Sequence, residues 1–480
     1  MNFARDVVDA AASDGRALVE IAADGARREH RFGELADRSA RLAGTLASRG
    51  VGRGEVVMTL VGNRPEWVYT MVACFRLGAV ALPCTEQLRS RDLRHRLEAA
   101  RPALIVADER DLGELSAARP QCEVLTVPDP SLWEAQPLPV VDLDPHDPCL
   151  ITFTSGTAGE PKGVLHGQRY LAGQRLQARH WLDARPGDLV WCTAASGWSK
   201  SARNSFVAAW LRGATALLHD ARFDPDERLD LVERERVNVL CMAPTEYRVI
   251  AKRARLRRLP AIRSLVAAGE ALNPEVLREW KTATGIDVRD GYGQTETGQL
   301  TGNPPGERTR PGSMGRALPG VELDVEDGEL VLSDPATDPT FFLRYLGERN
   351  ASEASAWHTG DRVSRDEDSY LYFEGRSDDV IISAGYRIGP FEVESALVEH
   401  PAVAEAAVVA APDEERGSVV RAVVVLCDGY RPGRRLAHEL QEHVRAQTAP
   451  YKYPRLVDFA GELPKTASGK VKRAVLRDHR

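Results

Sequence analysis

Short apolar runs recur along most of the chain, each separated from the next by a longer stretch in which charged residues punctuate apolar ones. "GDLVWCTAA" (187–195), "VNVLCMAP" (237–244) and "SLVAAGE" (264–270) are representative. Buried strands alternating with amphipathic helices predict an α/β domain built on largely parallel sheets. In such a domain the functional loops sit at the carboxyl ends of the strands. The glycines fall there: "TSGTAGEPKG" follows "CLITF", Gly269-Glu270 follows "SLVAA", and Asp290-Gly291-Tyr292-Gly293 precedes "QTE". Residues 301–350 change character, being rich in Pro and Gly around "VELDV" and "GELVLS", and predict a small antiparallel or β-barrel portion. Near "GRSDD" (375–379) the pattern resets. "GPFEVESALVEH" predicts a helix, with Pro390 in its first turn, Glu392 and Glu394 near its positive end and Pro401 just past it. Strand-like "EAAVVAA" and "VVRAVVVL" and a helix around "RLAHELQEHVRAQ" follow. The expected organisation is a large N-terminal domain over 1–377 and a smaller α+β domain over 378–480, with no internal repeat.

Composition narrows the function more than the fold. A chain of 480 residues is too long for a single compact core. Its net charge of -7 argues against a nucleic-acid partner, so the basic stretch "AKRARLRRL" (251–259) reads as a solvated helix face. Seven scattered cysteines, none at metal-ligand spacing, suit a reducing, cytoplasmic setting. The start lacks the apolar run of a signal peptide, and no stretch approaches the ~20 apolar residues of a membrane span.

Five segments could carry chemistry. In "TSGTAGEPKG" (Thr154 to Gly163), glycines let backbone N–H groups converge on an anion, hydroxyls add donors and Lys162 adds a point charge. That is a polyphosphate cradle, though not the Walker loop, because Gly163 follows Lys162 where Ser or Thr would stand. Alone, the same composition also fits a plain surface loop. "DGYGQTETG" holds Thr295 and Glu296; beside a phosphate cradle, Glu296 becomes a candidate ligand for Mg²⁺, which takes one or two carboxylates together with phosphate oxygens. Asp361 in "WHTGDR" follows a Thr-Gly turn from which a carboxylate can accept both hydroxyls of a ribose. Arg376 and Arg387 flank the domain boundary. Lys470 sits near Lys472 and Arg473 in a loop that "SGK" makes mobile and exposed.

"TSGTAGEPKG", "AAGEALNPE", "GYGQTETG", "HTGD", "GRSDDVIISAGYRIGPFEVE" and "PKTASGKVKR" occur in the order found in the adenylate-forming superfamily of acyl-CoA synthetases, adenylation domains and luciferases. The resemblance spans Phe32 to Arg473, and "GWSKSA" with "GYRIGPFEVESALVEHPAV" is most similar to the medium-chain acyl-CoA synthetases. It implies an acid–thiol ligase. A carboxylic acid and Mg-ATP give an acyl-adenylate and pyrophosphate, the mobile small domain rotates about a hinge at Asp378, and coenzyme A displaces AMP. A carrier-protein thiol or a non-thiol nucleophile is the alternative acceptor.

The resemblance also implies residue roles. Thr154, Ser155, Gly156, Thr157, Gly159 and Lys162 would hold the β- and γ-phosphates. Gly269, Glu270 and Ala271 would flank adenine and ribose, and Asp290, Gly291, Tyr292 and Gln294 would line the nucleotide slot. Thr295 would touch the α-phosphate, Glu296 Mg²⁺, and Asp361 the ribose, with Arg376 and Arg387 reaching the nucleotide from the hinge side. Lys470 would enter only during adenylation, and Gly385 would line the coenzyme A tunnel. Trp198, Lys200, Arg203, Asn204, Ala268 and Gly293 would shape the acid pocket. Gly293 stands where acetate-specific relatives carry Trp, which predicts an open floor and an acid larger than acetate. Arg203 and Asn204, if they point inward, favour a functionalised acid, such as a substituted aromatic one, over a plain alkyl chain. Ala384 stands where relatives commonly carry Ser, a departure that counts against coenzyme A as the acceptor; three others, namely Ala158, Ser369 and a short stretch between Gly320 and Trp357, suggest a specialised, secondary-metabolic member.

Overall fold

The computed structural model describes residues 2–154, 160–270, 272, 274–348, 351, 354–384, 386–466 and 470–478, with the backbone alone at Arg387 and Asp478. Two large sheets dominate. One has nine strands, in spatial order Arg316–Ala317, Thr301–Gly302, Val288–Tyr292, Ser264–Ala268, Val239–Met242, Leu189–Cys192, Thr215–His219, Arg16–Ile21 and Arg27–Arg31. The other has seven: Arg344–Tyr345, Gly163–Gly167, Pro148–Phe153, Val80–Cys84, Val56–Leu60, Leu104–Asp108 and Glu123–Val127. The central strands of both run parallel, as the apolar runs predict.

Alternation along each strand explains the layering. In Leu189–Cys192, Val190 and Cys192 enter a core shared between the two sheets, while Leu189 and Trp191 enter a second core on the opposite face. Cys241, Val266 and Ala268 also face the shared core. Helices Phe32–Ser48, Pro65–Leu77 and Gln168–His180 contribute to that core as well. Pro65–Leu77 shows the local logic: Pro at its first position, Gly78 at φ 73° as its left-handed stop.

The Pro/Gly-rich segment forms an open four-stranded antiparallel sheet, Leu323–Glu326, Glu329–Leu332, Trp357–Arg365 and Leu371–Arg376. The barrel-like portion is therefore an open sheet, with Ser313 bridging to Tyr372 along its Leu371–Arg376 edge. Ser369 takes φ 66° in the tight turn between its last two strands, a conformation that costs a residue with a Cβ. The basic stretch at 251–259 is a helix face only at its start, because helix Pro244–Arg253 ends there and Leu259 turns into the second core. Beyond Arg376 come the hairpin Ile381–Ser383/Tyr386–Ile388, helix Pro390–Val398, a three-stranded sheet and helix Arg434–Gln447, with their own core. Among the described residues no helix is long and apolar enough to cross a membrane. All seven cysteines are free.

Candidate active site

The hydroxyl-rich loop joins antiparallel strands Pro148–Phe153 and Gly163–Gly167. Its neck is closed twice: the Thr154 amide donates to the Lys162 carbonyl at 2.9 Å, and the Lys162 amide donates to Thr154 Oγ1 at 3.0 Å. Ser155, Gly156, Thr157, Ala158 and Gly159 lie outside the described residues, as do Ala271 and Gly385 and the side chain of Arg387. Lys162 Nζ pairs with Glu348 at 3.2 Å and stands 4.5 Å from the centre of the Tyr345 ring. Tyr345 in turn donates its hydroxyl to Glu296 Oε1 at 2.8 Å. One tyrosine thus bridges the loop cation and the candidate Mg²⁺ carboxylate. Tyr345, Glu348 and Trp357 were not foreseen from the sequence; a two-residue strand, Arg344–Tyr345, carries the tyrosine, and so short a run has no periodicity to read.

Asp361 lies on strand Trp357–Arg365, opposite Arg376 on the neighbouring strand. It is 5% exposed. Its carboxylate accepts from the Tyr292 hydroxyl and from Gln294 Nε2 at 2.8 Å, and Arg376 Nη1 approaches at 3.4 Å. Trp357 Nε1 donates to Gln294 Oε1 at 3.1 Å and fixes that amide. Burial raises the carboxyl pKa of Asp361; Tyr292, Arg376, Gln294 and Lys470 oppose the rise.

Lys470 reaches this group from the far end of the chain. A short hairpin carries it, the Thr466 amide donating to the Lys470 carbonyl at 2.8 Å and the Lys470 amide to Thr466 Oγ1 at 3.1 Å. Its ammonium feels Glu270, Lys200, Asp361 and Arg376, and its pKa falls below the usual lysine range chiefly through burial. Glu270 is held by Thr245 Oγ1 at 2.9 Å. The small domain is tied down nearby, Lys252 Nζ donating to the Val403 carbonyl at 2.9 Å. Asp378 sits in the connection, 3.3 Å from Arg376 Nε, and its carbonyl accepts from Arg477 at 3.3 Å.

Thr295 and Glu296 occupy a turn that starts after strand Val288–Tyr292, closed by the Gly298 amide on the Gln294 carbonyl at 3.1 Å. Lys200 Nζ donates to the Ala268 carbonyl at 3.1 Å, beside Gly269, whose φ is 107°. Trp198 caps the same helix and accepts from Ser201 Oγ at 2.7 Å. Arg203 and Asn204 are both buried, at 5% and 0% exposure, against helix Gln168–His180. Asn204 is paired, accepting from Gln177 Nε2 at 2.8 Å. Gly293 corrects the sequence reading: a Cβ there would overlap the Gly298 carbonyl. The glycine is required by a backbone crossing and opens no floor, so it carries no argument about acid size. Gly291 is likewise packed, a Cβ there lying 2.7 Å from Trp181 Nε1.

Asp290 is buried, and its pKa is pushed up to about 8 by burial, although the Gly291 and Leu272 amides donate to it. An unfolded aspartate titrates near about 3.9. Between those values the folded chain holds a proton that the unfolded chain has lost, so this residue's contribution to stability is full in acid and disappears as pH rises towards 8. Asp290→Asn is expected to raise the melting temperature at pH 8.5 by about 2–4 °C, with the gap closing near pH 4. Thermal unfolding at the two pH values checks it; a gap that widens in acid contradicts the assignment.

Among the described residues no cluster of three or more His, Cys, Asp or Glu side chains could hold a metal. A single carboxylate, Glu296, tied through Tyr345 to the Lys162 loop, would suit Mg²⁺ were a substrate's phosphates to supply the other oxygens.

Three comparisons bear on this arrangement. The family model described as AMP-binding enzyme matches residues 6–335, and that described as AMP-binding enzyme C-terminal domain matches residues 392–470. The chain is 40% identical over 525 residues to the mitochondrial acyl-coenzyme A synthetase ACSM4 of Rattus norvegicus, covering 99% of this chain and 90% of the relative. Among solved structures it resembles the anthranilate CoA ligase AuaEII in complex with anthranoyl-AMP, with a TM-score of 0.90, 28% identity and 99% and 96% of the two chains covered. It also resembles a benzoate CoA ligase from Burkholderia xenovorans LB400, with a TM-score of 0.89, 27% identity and full coverage of both chains.

Proposed function

Because the chain belongs to the AMP-binding enzyme family, we propose that it joins a carboxylic acid to coenzyme A through an acyl-adenylate, releasing pyrophosphate and then AMP. It is an ATP-dependent acid–thiol ligase. The observation that carries the reading is the convergence of Lys470, from the small domain, with Asp361, Glu270 and Arg376 of the large one.

In the first half-reaction a carboxylate oxygen attacks the α-phosphorus, the bond from that phosphorus to the bridging oxygen breaks, and pyrophosphate leaves with the electron pair. Negative charge builds on the equatorial and bridging oxygens. Such transfers draw mainly on positioning and electrostatic stabilisation. Thr154 and Lys162 frame the loop for the β- and γ-phosphates. Glu296 is the residue to hold Mg²⁺, which when bound neutralises phosphate charge. Asp361 accepts from the ribose hydroxyls, Thr295 lies at the α-phosphate, and Lys470 supplies a cation to the transition state. Rotation about Asp378 then withdraws Lys470, breaks the Lys252–Val403 contact and brings the Ile381–Ser383/Tyr386–Ile388 hairpin to the adenylate for thiol attack. The domain boundary is accordingly placed at Asp378.

A medium-chain or substituted aromatic acid is the proposed substrate class. The ACSM4 relative is named an acyl-coenzyme A synthetase, and two structural neighbours are named for anthranilate and benzoate. An AMP-release assay with one activated acid and three acceptors tests the second half-reaction. Coenzyme A is expected to exceed a pantetheinylated carrier protein and a simple amine by about tenfold or more in kcat/KM, a difference of about 1.4 kcal/mol. Faster release with carrier or amine replaces coenzyme A as the acceptor.

A further inference from the structure

Arg203, which the family resemblance assigns to the acid pocket, is a buried cation that no anion neutralises among the described residues. Arg203 opens the π-helical turn Arg203–Val207, within which Ser205 leaves helical geometry at φ -85°, ψ -106°. A π-turn changes the phase of the side chains around the helix and is frequent at functional sites. The residue is 5% exposed, its Nε and Nη1 have no hydrogen-bond partner, and among the described residues it has no ion pair. Nη1 lies 3.5 Å from where a Cβ on Gly298 would stand, which places the guanidinium against the Thr295–Gly298 turn. Its neighbours do not compensate it. His166, which feels its charge, is pushed down to about 3, first by burial, and is neutral; the Tyr170 hydroxyl, hydrogen-bonded to the guanidinium, stays protonated because burial raises its pKa and brings no opposing charge. One helical turn earlier, Lys200 faces Ala268 and Lys470 at the adenylation end. One helix thus offers a cation near the reacting carboxylate and a second, deeper one.

Guanidinium does not deprotonate in proteins, so a buried one is relieved only by an anion. A hydroxyl or a keto group would accept a hydrogen bond and leave the charge unopposed. We propose that Arg203 determines specificity, pairing with a second carboxylate on the substrate, so that the enzyme activates one end of a dicarboxylic acid. This rests on the acid-activating reading above and narrows it to a substrate class.

The test compares ATP–pyrophosphate exchange with matched pairs: butanoate and succinate, pentanoate and glutarate, hexanoate and adipate, benzoate and isophthalate. At the best length the diacid is expected to exceed its monoacid by about 10²-fold in kcat/KM, because a site built for a polar group rejects the analogue that lacks it. Arg203→Met is expected to lower the diacid by about 10²-fold and raise the monoacid by about tenfold, inverting the preference. Arg203→Lys, which keeps the charge, retains a diacid preference. A wild-type enzyme that prefers the monoacid of every pair, or that prefers neutral hydroxy or keto acids to every diacid, overturns the proposal. So does Arg203→Met with an unchanged ratio. The wild-type ratios decide the matter even where the variant does not fold. Exchange with monoacids alone defeats this proposal and leaves acid activation standing, whereas no exchange with any acid defeats both.

Discussion

Lys470→Ala slows acyl-adenylate formation by about 10²–10³-fold and leaves thiol attack on a supplied acyl-adenylate close to the parent rate. The magnitude follows from what the ammonium does. In its proposed role it would stabilise, in a half-buried site, charge that develops only in the transition state, and removal of one such donor costs about 3–4 kcal/mol. The selectivity follows from where the residue sits. It is carried near the end of the chain, beyond Asp378, and its side chain feels Glu270, Asp361 and Arg376. The proposed rotation would carry it elsewhere. Rapid-quench measurement of each half-reaction checks both halves of the expectation. Adenylation at the parent rate removes Lys470 from the chemistry, and equal losses in both half-reactions mean that it does not leave the site. Burial and the neighbouring Lys200 and Arg376 also favour the neutral amine. The alkaline loss of adenylation is therefore expected to begin below the free-lysine value of about 10.4.

Asp361→Asn produces the second large effect, of a different shape. The parent carboxylate is buried among donors from Tyr292, Gln294 and Arg376, and in the proposed role it also accepts from the ribose hydroxyls. An amide presents one acceptor oxygen and turns the other position into a donor facing donors. Two charge-assisted hydrogen bonds are lost, at about 1.5–3 kcal/mol each. The expected fall in kcat/KM for ATP is about 10²–10⁴-fold, mostly through KM. Because AMP remains bound during both half-reactions, the thiol step started from acyl-adenylate suffers too, which distinguishes this variant from Lys470→Ala. A KM for ATP within about threefold of the parent would remove the ribose role. Since burial raises the Asp361 pKa, nucleotide binding is also expected to weaken on acidification at a higher pH than an exposed carboxylate would dictate.

The period of the apolar residues made the strands and helices legible. Leu189–Cys192, Val239–Met242 and Ser264–Ala268 fall on the runs that mark them, and helix Pro390–Val398 begins at its proline. Segments bearing unusual chemistry were legible too, because glycines, hydroxyls and single cations stand out against such a background. What escaped was whatever depends on tertiary approach. Tyr345 reaches Glu296 and the loop lysine only because its two-residue strand pairs with Gly163–Gly167. Gly293 shows an absent side chain but not the Gly298 carbonyl that fills the space. The direction of Arg203 was undecidable from helical spacing, since the π-turn at 203–207 shifts the phase that spacing assumes. The Pro/Gly-rich region announced antiparallel strands without saying whether their edges meet, and they do not.

The account stands on carboxylate-dependent capture of AMP at the meeting place of Lys470 and Asp361. Exchange of labelled pyrophosphate into ATP, with no thiol present and one acid added at a time, tests it most directly. The account predicts exchange that appears only with an acid and that Lys470→Ala suppresses by about 10²–10³-fold. Exchange that needs no acid, or that no acid in a panel of mono- and dicarboxylates supports, would contradict it.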